Sequence, residues 1–267
     1  MMRNYYKLIL IAMVIGLSFL LQTLHAEGGN ARDELVKNGI EYSEDSFLKC
    51  AGNGDLENVK LFLAEGMEID AKNEYGETAL MAGAVSGNTN IVRVLLEKGA
   101  DPNFKDNDGS TALIASAMWE NTEIVKLLVI HGANVNVRNK YGKTALMLAA
   151  EYGQTENVKV LMKGGEKVNV KDNHGNTPLW FALGKKGNIE TVKLLVENGA
   201  NVKIKNKDLS VPMVIAVRAT PEIVKYLIDK DADIKSRNTF GNTPLDYATE
   251  AGNAEIIRIL KEAGATE

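Results

Sequence analysis

GKTALMLAA, residues 142–150, reads as the opening of a helix and has near-copies on both sides. GETALMAGA (76–84) and GSTALIASA (109–117) precede it; GNTPLWFAL (175–183), LSVPMVIAV (209–217) and GNTPLDYAT (241–249) follow. Successive copies begin 33, 33, 33, 34 and 32 residues apart. Self-similarity at such a period marks an array of stacked units. Each unit touches only its neighbours, and the stack leaves a long open surface suited to binding.

Working outward from the quoted stretch gives the rest of the unit. Asp106-Asn107-Asp108-Gly109 is a tight turn that Asp opens and Gly closes. Thr111 then caps a helix, as do Thr78, Thr144, Thr177 and Thr243 in their copies. Pro178, Pro212 and Pro244 take the next place, where a missing N–H costs nothing. Leu80, Leu113, Leu146, Leu179 and Leu245 point inward. Gly83, Ser116, Ala149, Ala182, Ala216 and Ala248 follow three places on, small enough for a neighbouring helix to approach closely. A second helix carries one apolar stripe, for example Ile91, Val92, Leu95 and Leu96. Gly99, Gly132, Gly165 and Gly199 end it. A short extended run such as residues 133–137 leads to the next turn. Helices this short do not persist alone in water, so stacking must hold them.

The Thr-Pro-Leu helix start, the Gly-Ala-(Asp/Asn) run after the second helix and the Asp/Asn-x-x-Gly turn together resemble the ankyrin repeat. The resemblance covers about residues 45–267. It implies an all-α solenoid of paired antiparallel helices with projecting hairpin-like loops, about seven units including both caps. It also implies a protein-binding role, with turn tips and first-helix ends on the concave side. The family often has His after Thr-Pro-Leu; here stand Met81, Ile114, Met147, Trp180, Val214 and Asp246.

The first and last units are expected to cap the array. In unit one Asp45 takes the capping place, Phe47 the Leu place, Cys50 the small-residue place, and Gly54 and Gly66 the helix ends. Lys49 stands where later units carry apolar residues, as Asp246 and Lys261 do in unit seven. Residues 27–44 form a lead-in segment with a helix over 31–38. The joint between units five and six is irregular. Gly184-Lys185-Lys186-Gly187 carries one extra residue; unit six has Leu209 for the turn Gly, Val211 for the capping Thr and Asp231 for the helix-end Gly.

Residues 1–26 break the pattern. Arg3 and Lys7 precede an apolar run, Leu8 to Leu21, and Ala26 suits a cleavage site. This layout is that of a secretory signal peptide. As a helix the run reaches about 21 Å, short of the ~30 Å hydrocarbon core. Leu24 sits where a small residue is preferred, so a retained N-terminal anchor is the alternative. Both readings put the repeats outside the cytoplasm, periplasmic or secreted. Exported ankyrin proteins of bacteria, some of which guard or inhibit a periplasmic enzyme, are similar in this layout.

At 45% hydrophobic and 25% charged the chain has ample core for a soluble fold. Removing Arg3 and Lys7 with the leader leaves 29 bases against 35 acids, which argues against bulk nucleic-acid binding. A single Cys allows no internal disulfide. The three His share no metal-ligand spacing, and no phosphate-cradling Gly loop occurs. His131 sits at a helix end. The expectation is therefore no catalytic residue, no metal, no cofactor and no small-molecule substrate, with a membrane contact only if the leader is retained. The partner-binding candidates are aromatic. Tyr75, Tyr141, His174 and Phe240 occupy turn tips, and Trp119 and Tyr152 end first helices. Trp and Tyr dominate binding hot spots, although packing on their own loops is equally open to them. Lys72, Lys105, Arg138 and Lys171, each just before the turn's Asp or Asn, form a recurring cation (Lys205 and Arg237 continue it) suited to steering an acidic partner.

Overall fold

The structure, a computed structural model, describes residues 30–184, 188–208 and 210–266. The leader, the first three residues of the lead-in segment, Lys185-Lys186-Gly187 and Leu209 lie outside the described residues. Among those described there are fifteen α-helices and no strand, only an isolated bridge between Lys72 and Thr78. None is long and apolar enough to cross a membrane.

After Ala31–Lys37 the helices fall into seven pairs. They are Glu44–Asn53 with Leu56–Ala64, Ala79–Val85 with Thr89–Glu97, Ala112–Ser116 with Thr122–Ile130, and Ala145–Glu151 with Thr155–Lys163. Pro178–Gly184 with Ile189–Glu197, Pro212–Ala216 with Pro221–Asp229, and Pro244–Glu250 with Ala254–Glu262 complete the array. First helices pack on first helices and second on second, so one core runs along the stack. Leu80, Leu113, Leu146, Leu179 and Leu245 are all buried in it. The small-residue position is a close approach: a Cβ on Gly83 would come within 3.3 Å of Ile91 Cγ2.

The caps follow the sequence in most units. Thr78, Thr111 and Thr144 each accept the N–H three residues on at 3.4 Å, and Thr243 forms a full capping box with Asp246. Thr177 departs from this. Its buried hydroxyl has no partner. In unit one the cap is Ser43, whose hydroxyl accepts the Ser46 N–H at 3.3 Å, and Asp45 lies inside the first turn. Ser and Asp are equally good caps, and the earlier one extends the helix that Phe47 anchors. Residues 133–137 also differ from expectation: they turn. The Asn134 side chain accepts the Asn136 N–H at 3.0 Å and its carbonyl accepts the Val137 N–H.

Three hydrogen-bond ladders tie unit to unit. At the turn tips, the carbonyls of Tyr75, Asp108, Tyr141, His174 and Asp208 accept N–H groups of Asn107, Lys140, Asn173, Lys207 and Thr239 at 2.7–3.1 Å. Before the second helices, side-chain amides of Asn88, Asn121, Gln154 and Asn188 donate back to carbonyls ending the previous unit's first helix. At the bases of the loops, Asn103, Asn136 and Asn169 donate forward to Gly132, Gly165 and Gly199. These amides satisfy polar backbone at the seams they span, which apolar stacking alone would leave unpaired.

Candidate protein-binding face

Each loop between units is built the same way. Asp106 Oδ1 accepts the N–H groups of Asp108 and Ser110, at 2.9 and 2.8 Å, and Gly109 turns at φ 75°. Asn73, Asn139, Asp172, Asn206 and Asn238 repeat that turn. The residue one place before the Gly is thereby pushed to the tip, and the tip ladder locks its backbone to the next unit. Gly142 shows how tightly: an added Cβ would meet the Asn173 backbone N at 2.8 Å.

Tyr75, Tyr141, His174 and Phe240 all stand at such tips and are exposed. Trp119 and Tyr152 follow equivalent first helices one unit apart. Tyr75, Trp119, Tyr141, Tyr152 and Phe240 are 45–74% exposed. Two aromatic ring pairs stand at unit one, where Tyr42 stacks on Phe62 at 5.4 Å and Phe47 tilts against it. The Trp119 backbone is fixed from the next unit by Asn157, whose buried amide donates to the carbonyls of Ala117 and Trp119 at 3.0 and 2.9 Å. An exposed aromatic on an immobilised backbone loses little further entropy when a partner covers it.

Three of the recurring cations reach an uncharged group, whereas Arg237 also lies 3.8 Å from Asp246. Lys72 Nζ lies 4.1 Å from the ring centre of Phe104 on the next loop. Lys171 Nζ donates to the Lys205 carbonyl at 2.8 Å, and Arg138 Nε to the Gly142 carbonyl at 3.1 Å. Lys105 is exposed at its loop. One cation that sequence reasoning passed over is Lys140, paired with Asp108 of the preceding loop at 2.5 Å. That bond holds its ammonium above the ordinary lysine pKa. Its position at the turn tip beside Tyr141 was the available signal.

His131 Nδ1 lies 2.8 Å from the Leu127 carbonyl and closes its helix. Cys50 is buried, and burial raises its thiol pKa, the direction of an inert thiol. Among the described residues no three His, Cys, Asp or Glu stand together as metal ligands.

The repeating turn, the capped helix pair and the seven-fold stack agree with a family model described as Ankyrin repeats (3 copies), which matches residues 47–139, 129–206 and 185–266. The chain belongs to the ankyrin-repeat family. Its fold is similar to a crystal structure of the human ASB11 ankyrin repeat domain. That likeness has a TM-score of 0.74 at 24% identity and covers 83% of this chain and 98% of the other. No curated protein matches the sequence. Ankyrin repeats are protein–protein interaction modules, and the fold is typically non-catalytic.

Proposed function

We propose that this ankyrin-repeat protein acts outside the cytoplasm by binding a partner protein through the face that carries Tyr75, Trp119, Tyr141 and Tyr152, without catalysis. One observation carries the reading: large aromatics stay exposed on units two to four although the backbone beneath them is locked by three ladders. The leader's basic start and apolar run support export. Protection or inhibition of a periplasmic enzyme is the form this binding takes by likeness to exported bacterial ankyrin proteins. A membrane-tethered scaffold is the second reading, favoured by Leu24 at the place where cleavage prefers a small residue.

The test is capture of partners from the exported fraction with the natural chain and with the Trp119→Ala/Tyr152→Ala variant. The variant should lose the partner while unfolding at the natural temperature. Equal recovery of the same partner by both proteins would refute the assignment of this face. Mass spectrometry of the exported chain separates the two leader readings, since a mature form starting at Met1 excludes cleavage.

A further inference from the structure

Charge is distributed unevenly along the row of loops. Taking each loop from the residue capping one helix to the residue capping the next, residues 65–78 and 98–111 carry eight acids and three bases. The four following loops, residues 131–144, 164–177, 198–211 and 230–243, carry eleven bases and five acids. Two of those five, Glu166 and Asp172, are buried. Ten of the eleven bases are exposed, Lys143 being half-buried. The whole chain is net acidic at -4, so a basic edge on half of one face is a local construction.

The fold brings these cations into one line. Lys140 and Lys207 follow directly on the tip ladder, and Lys171 reaches forward to the Lys205 carbonyl. Arg138 and Arg237 fold over their own turns onto the carbonyls of Gly142 and Gly241. Holding the Arg138 guanidinium or the Lys171 ammonium on a carbonyl leaves its charge unneutralised, whereas Arg237 also lies 3.8 Å from Asp246 and Lys143 pairs with Glu151. Lys203 pairs with Asp231 and Lys140 with Asp108, both at the surface, where such pairs are worth little. Two apolar tips, Tyr141 and Phe240, flank the line.

We propose that the loop edge of units four to seven docks an extended, carboxylate-rich segment of a partner protein. Asp and Glu side chains of that segment bind Lys171, Lys205, Lys207 and their neighbours, and the acidic loops at residues 65–78 and 98–111 repel it from the other end. That repulsion sets where along the edge the segment lies. Nucleic acid fits less well. A duplex or strand tracks basic charge continuously, and here the same row turns acidic, on a chain of pI about 5.6.

The proposal rests on reading the array as a protein-binding module, yet the two fail separately. If the Trp119/Tyr152 variant kept its partner, the aromatic face would be wrong and the basic edge untouched. The probe is a fluorescein-labelled polyglutamate peptide titrated onto the intact chain by anisotropy. Binding should be saturable and weaken about tenfold in Lys171→Glu/Lys205→Glu/Lys207→Glu, the equivalent of ~1.4 kcal/mol. It should hold in a control reversal of second-helix lysines, Lys126→Glu/Lys163→Glu/Lys225→Glu. If the triple variant unfolds early, Lys205→Glu/Lys207→Glu keeps the Lys171 bond to the Lys205 carbonyl and should still weaken binding. No binding, equal losses in both reversal sets, or tighter binding of an oligothymidylate of equal charge would overturn the proposal. So would a dimer of the free chain that dissociates with salt, since the acidic loops of a second copy would then occupy the edge.

Discussion

Both carboxylate oxygens of Glu166 accept the amide N–H of Leu146, at 3.2 and 3.1 Å, inside the core of unit four. Glu166 stands where other units carry Ala100, Ala133, Ala200 and Ala232. The position is buried in every one, so this unit places a carboxyl against the N-terminus of its own first helix. Burial pushes its pKa up to about 8, against the pull of the Thr144 hydroxyl and the Leu146 N–H.

That shift makes stability depend on pH in a definite sense. The unfolded chain releases the Glu166 proton near 4.5, and the folded chain holds it to about 8. The stabilisation from the neutral carboxyl is complete below the lower value and is lost as pH rises through the upper one. Urea unfolding should therefore show a falling midpoint between pH about 5 and about 8. The loss is on the order of 3 kcal/mol more than in Glu166→Gln, which keeps an acceptor for Leu146 without a charge. Parallel slopes for the two proteins would remove Glu166 from the account.

The helix caps offer a comparison within one molecule. Thr111 accepts the Ile114 N–H at 3.4 Å, whereas the equally buried Thr177 hydroxyl has no partner. Thr111→Val should cost about 1 kcal/mol. Thr177→Val should be neutral or slightly stabilising, because it removes an unpaired buried oxygen. Unit six already has Val211 at this place, its backbone extended and its side chain making no cap bond. Denaturant melts of the two single variants decide it, and similar losses would show that the Thr177 hydroxyl is satisfied after all.

The period, the helix pairs and the caps were legible because each rests on local chemistry repeated at a fixed offset. Gly99 ends a helix through its own φ, and Leu80 is buried by its helical phase. What stayed hidden depends on the neighbouring unit. Asn88 and Asn157 look like ordinary polar residues, and only stacking shows them capping carbonyls of the unit before. Ser43 and Asp45 compete for one cap, and the helix begins at Glu44 behind the Ser43 hydroxyl. Of the candidate site, the exposure of the aromatic tips was legible from the turn motif. The bond of Lys171 to the Lys205 carbonyl was not, since Asp172 stands beside it in sequence and Lys205 belongs to the next loop.

Asp231 replaces the glycine that ends the second helix in other units and adopts φ 61°. A side chain there is strained, more mildly for Asp than for most residues. Asp231→Gly should stabilise the protein by about 1 kcal/mol. The surface pair with Lys203 that it removes contributes little. The reciprocal change Gly199→Asp should destabilise by a similar amount. A thermal melt in which Asp231→Gly unfolds earlier would mean that the Lys203 contact outweighs the backbone strain.

The joint of units five and six should open before the rest. Val211 leaves the N-terminus of the first helix of unit six, Pro212–Ala216, without a side-chain cap, whereas Thr111 caps the equally short Ala112–Ser116. The inter-unit ladder that Asn88, Asn121, Gln154 and Asn188 maintain reaches Thr220 in unit six, a residue with no amide to donate. Thr220 instead caps its own helix by accepting the Ile223 N–H at 3.4 Å. This seam lacks that amide bond, so it separates at lower free energy than the seams where Asn88, Asn121 and Gln154 supply it. Native-state hydrogen exchange should give weaker protection over residues 176–235 than over 75–165. Replacing Thr220 with Asn, which caps equally well and supplies an amide, should narrow that difference. Uniform protection in the natural chain would show that apolar stacking alone sets cohesion along the array.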